Sequence, residues 1–207
     1  MQAIIIGVMN KFGYLGILLL IAIENIFPPI PSEVILTFGG FMTKQPNSSL
    51  TILGVIGWAP IGSRVGALGL YYIGKILNKE RLEKIVAGKL GKILRIKAKD
   101  IESADKWFDT KGNKTVFFCR FIPIVRSLIS IPAGMSEMKM PKFLLYTTIG
   151  SAIWNTVLVI IGSIVGKNWE KVVEIIDKYS KVVLISLVVL FVVGIFIFYK
   201  SRKKEAK

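Results

Sequence analysis

Residues 182–199 form a run of 18 residues without a charge, closed by Lys200-Ser201-Arg202-Lys203-Lys204. As an α-helix this run is about 27 Å long, enough to cross a hydrocarbon core of ~30 Å. Inside a bilayer no water satisfies the backbone, so spanning segments must be helices or a closed barrel. Runs this long point to helices. Two further stretches, 51–73 and 144–165, have spanning length; the first contains Pro60 and Arg64, the second Trp154 and Asn155. The chain is 53% apolar over 207 residues, above the ~45–50% usual for soluble domains. The length suits a single membrane domain, 1–207, with no separate soluble unit.

The formal net charge is +15. Residues 75–114 hold 12 Lys and Arg against 6 Asp and Glu, and residues 200–207 hold 5 against 1. Both clusters flank apolar segments, so they read as loops retained on the cytoplasmic side and not as a nucleic-acid footprint. Residues 167–181 are nearly balanced in charge, which suits the outer side. Within 79–96, Leu82, Ile85, Val86, Leu90, Ile93 and Leu94 recur at helical spacing among lysines. That pattern predicts an amphipathic helix on the inner surface. Residues 100–110 read as a second helix, with Gly112 as its C-cap. Trp58, Trp107, Trp154 and Trp169 read as interface markers. The chain has no histidine and one cysteine, Cys119. An intramolecular disulfide is therefore excluded, as are His-dependent phosphatases, His-ligated metalloproteases and Ser-His dyads. There is no aspartate-rich metal motif. No metal, cofactor or catalytic residue is expected.

Two apolar stretches do not fit a plain span. Residues 14–42 are broken at Pro28, Pro29 and Pro31 and carry Glu24 and Glu33; residues 115–135 are broken at Pro123 and Pro132 and carry Arg120 and Arg126. Proline removes a helical backbone bond and clashes with the preceding turn. An ionised group at the centre of a spanning helix costs at least ~2.5–3.5 kcal/mol. Both stretches therefore read as re-entrant hairpins whose breaks are buried in protein. The crossing count agrees. With 75–114 inside, a returning 115–135 lets 144–165 lead out and 182–199 lead back, and the basic tail lands inside.

The hairpins also define a weak repeat. Pro29-Ile30-Pro31-Ser32-Glu33, Gly40, Lys44-Gln45-Pro46 and a helix ending Gly74-Lys75 are echoed later. The echo is Pro123-Ile124-Val125-Arg126, Gly134, Lys139-Met140-Pro141 and a helix ending Gly166-Lys167. The expected fold is thus an all-α integral membrane protein with an inverted-repeat architecture. It comprises a first hairpin plus span (14–74), a cytoplasmic amphipathic segment (75–114), a second hairpin plus span (115–167) and a C-terminal transmembrane helix (182–199). Gly62, Gly66, Gly69 and Gly74 with Tyr71 and Tyr72 form a small-residue face for helix packing.

Hairpins that meet at mid-membrane bring Glu24, Glu33, Arg120 and Arg126 together, which is the arrangement broken-helix transporters use for their sites. Paired arginines present forked donors suited to phosphate. The hairpin breaks, at Pro29, Pro31, Pro123, Pro132 and Gly134, free backbone N–H groups that favour anions. Carboxylates beside these arginines are candidates for proton coupling. The same four charges also fit a static structural ion-pair network. Arg64, in Gly62-Ser63-Arg64-Val65-Gly66, is either a third phosphate contact or a surface cation.

These residues resemble a known family. Glu24 followed by Pro29-x-Pro31-x-Glu33, a glycine-rich helix with a tyrosine, and Phe117-x-x-Arg120-Phe121-x-Pro123-x-x-Arg126 ending in Pro132-Ala133-Gly134 are similar to the DedA family. Its eukaryotic relatives are the SNARE-associated or VTT-domain proteins. The resemblance covers about 14–167. It implies a flippase in the cell (plasma or inner) membrane that moves undecaprenyl phosphate or phospholipids, linked in some members to proton motive force. It also implies that Glu24 and Glu33 are the essential acids, and Arg120 and Arg126 the essential arginines. Family members often carry Asp or Asn after the glycine where this chain has Ser63-Arg64, which leaves the head group open. A proton/ion antiporter, a passive phospholipid scramblase, a membrane enzyme and a scaffold are the competing readings. The expected partners are phosphate-bearing lipids and protons, and a homo-oligomer is compatible with the sequence.

The charge asymmetry makes a topological prediction. On a Cys119→Ser background, single cysteines within 75–114 and 200–207 are expected to label only from the cytoplasm. Those within 167–181 should label from outside. Labelling near Lys106 from outside intact cells would reverse the arrangement.

Overall fold

The computed structural model describes residues 2–27, 32–46, 48–87 and 98–204, and all regular structure within them is helical. Two long helices, α1 (Gln2–Ile26) and α3 (Ile52–Ile76), flank a short α2 (Ser32–Met42). The basic segment contributes α4 (Lys79–Ala87) and α5 (Ala98–Cys119). Two short helices follow, α6 (Val125–Leu128) and α7 (Ser130–Met135), and then the long α8 (Met140–Val165). A 3₁₀ turn at Gly166–Asn168 leads into α9 (Trp169–Lys204). Among the described residues four helical stretches are long and apolar enough to cross a membrane: Ile4–Ile26, Ile52–Ile76, Met140–Asn168 and Lys171–Ile197.

The first helix begins well before the expected residue 14. Residues 4–9 are mostly apolar, and Ile5 and Met9 are buried in the core with Ile17, Ile35 and Val55. The helix kinks at Gly13, whose φ of 54° and ψ of −125° suit glycine. Helix α3 starts at a capped turn. The Thr51 hydroxyl accepts the Gly54 N–H at 3.1 Å, and the Tyr14 hydroxyl of α1 accepts the Thr51 N–H at 2.8 Å. The helix runs on through Pro60.

The C-cap reading of Gly112 is corrected. Helix α5 continues through it to Cys119, because apolar Val116 beyond it is buried in a core with Phe108 and Phe143. The expected outer segment 167–181 is also helical from Trp169 onward. Trp169 packs edge-on to Phe38 with centroids 5.1 Å apart, which ties the start of α9 to α2. Val173 and Ile176 pack partly buried against the same core, and no residue in the most apolar stretch of α9 is buried against the bundle. Its side chains face outward, as lipid-facing residues do. Of the expected breaks, Pro29 and Pro31 lie outside the described residues, as do 88–97 of the amphipathic segment. The chain turns at 120–124, around Pro123, with Ile124 at φ 68°. Pro132 and Gly134 lie inside α7.

Close helix approach organises the bundle. Helix α3 packs on α1, α7 and α8, and α2 packs on α8. Gly40 of α2 lies against the Val159 backbone of α8, and Gly162 of α8 against the Thr37 backbone of α2. Gly134 of α7 lies against the Tyr71 backbone of α3, and Gly74 of α3 against the Ile131 backbone of α7. Gly62 and Gly66 bring α3 onto α1 at Leu18 and Ala22. A side chain at these positions would collide with backbone, the use small residues have at membrane-helix interfaces.

A stability comparison follows. Gly134→Ala is expected to lower the detergent-solubilised Tm, since overpacking costs typically ~1–3 kcal/mol. Gly57→Ala, on the exposed face of α3 with nothing within 4 Å of its added Cβ, should leave it unchanged or raise it slightly. Equal Tm shifts for the two variants would contradict the packing described.

Candidate functional site

Glu24 lies in the last two turns of α1, the helix that glycines seat on α3. Arg126 lies in α6, on the segment that α7 docks onto α3. Those two packings bring Arg126 Nη2 to 2.8 Å from Glu24 Oε2, with both side chains more than nine-tenths buried. An ion pair this enclosed needs further hydrogen bonds to offset its desolvation. Asn25 supplies one. Its amide donates to Glu24 Oε2 at 3.2 Å and to the Ile21 carbonyl at 2.9 Å, fixing the carboxylate from behind.

Glu33 sits in the first turn of α2, where unsatisfied helix N–H groups favour a carboxylate. It is buried and within electrostatic reach of both Glu24 and Arg126. Among the described residues it makes no ion pair within 4 Å.

Arg120 is in a different environment. It is 1% exposed and, among the described residues, has no carboxylate within 4 Å. Its Nη2 donates to the Ser130 hydroxyl at 2.9 Å and the Thr147 hydroxyl at 3.0 Å. Its guanidinium carbon lies 6.0 Å from the centroid of the Phe143 ring, at the outer limit of a cation–π contact. Gly150 of α8 leaves room for its stem: a Cβ there would come within 2.9 Å of Arg120 Cβ. The Nε of Arg120 and the Ser127 and Ser32 hydroxyls are buried with no hydrogen-bond partner among the described residues. Arg120 lies within electrostatic reach of Arg126 and Glu24.

The structure thus joins Glu24 to Arg126 directly and sets Glu33 and Arg120 close by. Arg64 is not part of this group. It is exposed on α3, while its neighbour Ser63 faces inward and meets the Asn155 amide at 3.4 Å. Sequence reading missed Asn25, Ser127, Ser130 and Thr147. A signal for Thr147 existed: Thr147, Ser151 and Asn155 recur every four residues in an apolar helix, and all three are buried. Ser127 and Ser130 carry the same signal at a spacing of three.

The VTT domain family matches residues 30–164. A Lactococcus lactis subsp. lactis protein described as alkaline phosphatase-like is 59% identical over 202 residues, covering 98% of this chain and 94% of its own. Undecaprenyl phosphate transporter A of Staphylococcus aureus is 36% identical over 207 residues, covering 100% of both chains. The Bacillus subtilis protein of the same name is 33% identical over 194 residues, covering 94% of this chain and 91% of its own. No solved structure matches.

The ion pair predicts strong coupling between its members. Glu24→Ala or Arg126→Ala alone leaves a buried charge without its partner, a loss of roughly 3–5 kcal/mol. The double variant should be less destabilised than the sum of the two. Unfolding of all four proteins in one detergent measures the cycle, and strictly additive losses would contradict the pairing.

Proposed function

The chain belongs to the VTT-domain (DedA) family, and from that premise we propose that it carries a phosphate-bearing lipid, undecaprenyl phosphate above all, across the membrane. It is a multi-pass cell-membrane protein with four helices of spanning character. The observation that carries the substrate reading is Arg120, a buried guanidinium held by hydroxyls instead of a carboxylate. A cation so placed keeps its charge for an incoming anion, and its Nε and the Ser127 hydroxyl are donors without partners among the described residues. A lipid phosphate is an anion that reaches such depth, because its chains remain in the hydrocarbon.

In this reading Arg126 is the exchangeable cation. A phosphate drawn in by Arg120 competes with Glu24 for Arg126, and the released carboxylate takes up a proton. Glu33 shares the field of the same arginine. Proton and lipid are thereby linked through one side chain, and by reciprocity each changes the affinity for the other. Arg64 is exposed on α3 and lies outside the cluster, so this reading does not use it.

The two broken segments are read as re-entrant hairpins related as inverted repeats. Reciprocal packing supports this: α2 of the first half sits on α8 of the second through Gly40 and Gly162, and α7 of the second sits on α3 of the first through Gly134 and Gly74. Such an arrangement places a site where the halves meet.

The name of the Lactococcus relative raises hydrolysis as an alternative. The chain has no histidine, and among the described residues no three His, Cys, Asp or Glu side chains cluster as metal ligands. Movement without turnover is accordingly the reading put forward.

The test is flux of fluorescent undecaprenyl phosphate in proteoliposomes across a pH series, with and without a proton gradient, with inorganic phosphate assayed in parallel. Arg120→Ala and Arg126→Lys should each lower flux about ten- to hundredfold, the scale of a lost hydrogen bond to a charged group. Glu24→Gln and Glu33→Gln should stay folded and lose the pH dependence. Phosphate release would favour an enzyme. Wild-type flux indifferent to pH and gradient would favour passive scrambling.

A further inference from the structure

Arg64 is a charge at the middle of a span that the cluster leaves out. It stands midway between Ile52 and Ile76, about 18 Å from either end of α3. Its side chain is exposed on an apolar face, with Ile61 and Val65 exposed beside it. Among the described residues it makes no hydrogen bond or ion pair. A charge so placed is costly in hydrocarbon and calls for a partner. Helical side chains lean toward the N-terminus of their helix. A lean of one full turn, ~5.4 Å, still leaves the charge about 13 Å from Ile52. Snorkelling alone therefore does not bring Arg64 to water. Lys75, one residue from the end of α3, has no such difficulty.

A second copy of the chain is poorly suited to supply that partner. Glu24 of α1 and Glu33 of α2 are buried. Helices α3 and α8 carry no acid, and the acids of α9 precede its uncharged stretch 182–199. A two-fold contact through the exposed face of α3 would also set one Arg64 against the other. A free anion does not reach this depth through lipid, whereas a lipid phosphate does, because its chains stay in the hydrocarbon. Room for it lies beside the arginine. Gly57, two turns toward the N-terminus on the same face, is exposed and has nothing within 4 Å of an added Cβ. We propose that Arg64 binds the phosphate of an anionic membrane phospholipid on the lipid-facing surface of α3, over Gly57, and so draws a head group below its usual level.

The guanidinium presents forked donors that match phosphate oxygens. An anionic lipid is preferred because a zwitterionic one already carries its own cation beside the phosphate. The positive-inside rule places the N-terminus of α3 outside, so the lipid belongs to the outer leaflet. The consequence is a bilayer thinned locally beside α3. This site is separate from the cluster around Arg120 and does not rest on the transport reading.

The experiment uses the full chain in phosphatidylcholine nanodiscs doped with phosphatidylglycerol that carries a diazirine on its head-group glycerol. After irradiation, the labelled residues are mapped by mass spectrometry, so the adduct position reports the depth of the head group. The expected adducts are on Gly57, Ile61 or Val65. They should fall about tenfold or more in Arg64→Leu, the scale of a lost hydrogen bond to a charged group, while adducts near Leu53 persist. Arg64→Leu, at an exposed position on an apolar face, should keep its Tm and oligomeric state. Wild-type adducts confined to the ends of α3 would overturn the proposal, since the arginine would then meet the ordinary interface. So would equal mid-helix labelling in Arg64→Leu, or by a matching phosphatidylcholine probe. Mid-helix adducts displaced by inorganic phosphate would reveal a water-filled site and overturn it too. A change of oligomeric state in Arg64→Leu would assign the face to a second copy instead. The transport reading is judged separately. A wild type that moves no lipid but labels mid-helix keeps this site, and one that moves lipid without mid-helix adducts removes this site alone.

Discussion

An ion pair sealed in an apolar bundle constrains everything around it. Glu24 and Arg126 come from helices about a hundred residues apart in sequence. Neither is tolerable there alone, because an unpaired buried charge costs several kcal/mol. The pair forms only if α1 and the α6–α7 segment both seat closely on α3. The glycines of α3 serve that requirement: Gly62 and Gly66 admit α1, and Gly74 admits α7. The ion pair thus makes close packing necessary, and the glycines make it sterically attainable.

Much of this was legible in the sequence because hydrocarbon makes certain patterns expensive. Prolines and charges inside apolar stretches singled out the two broken segments, and the four residues Glu24, Glu33, Arg120 and Arg126 are all buried. The glycine face of α3 was read as packing and is packing. What the sequence left open was the pairing. Two acids and two arginines allow several combinations, and the choice of Glu24 with Arg126 depends on where α6 begins after the turn at 120–124. The hydroxyls around Arg120 were missed since serine and threonine in membrane helices commonly satisfy their own backbone, and only tertiary contact tells a ligand from a self-satisfied side chain. Gly112 misled because glycine is a common helix terminator; the apolar residues that follow it bury against Phe108 and Phe143 and carry the helix onward.

The two arginines, identical in chemistry, are held in opposite ways. Arg126 faces a carboxylate that Asn25 orients. Arg120 faces neutral hydroxyls and an aromatic ring. Neutral acceptors satisfy N–H groups without cancelling the charge, so the field of Arg120 persists at the cluster. Coulomb attraction for a further anion is therefore strongest on the Arg120 side. Arg126 can respond to that anion only by giving up part of its contact with Glu24. In the proposed function this difference gives Arg120 the part of receptor and Arg126 that of switch.

A static ion-pair network would account for Glu24 and Arg126, and it fails at Arg120. Buried polar networks rigidify a core when every member is satisfied, and a partly satisfied one is worse than an apolar core. The Nε of Arg120 and the Ser127 hydroxyl sit in the protein interior with no partner among the described residues, in a bundle that elsewhere packs glycine against backbone. If the cluster existed for stability alone, an apolar residue at position 120 would fill the space over Gly150 with less desolvation. Unused donors beside a buried cation have a physical rationale when a ligand completes them. A phosphate has the charge to meet Arg120 and acceptor oxygens to take its Nε–H. The incompleteness of the network is thus the feature that the proposed binding role explains and a purely structural role does not.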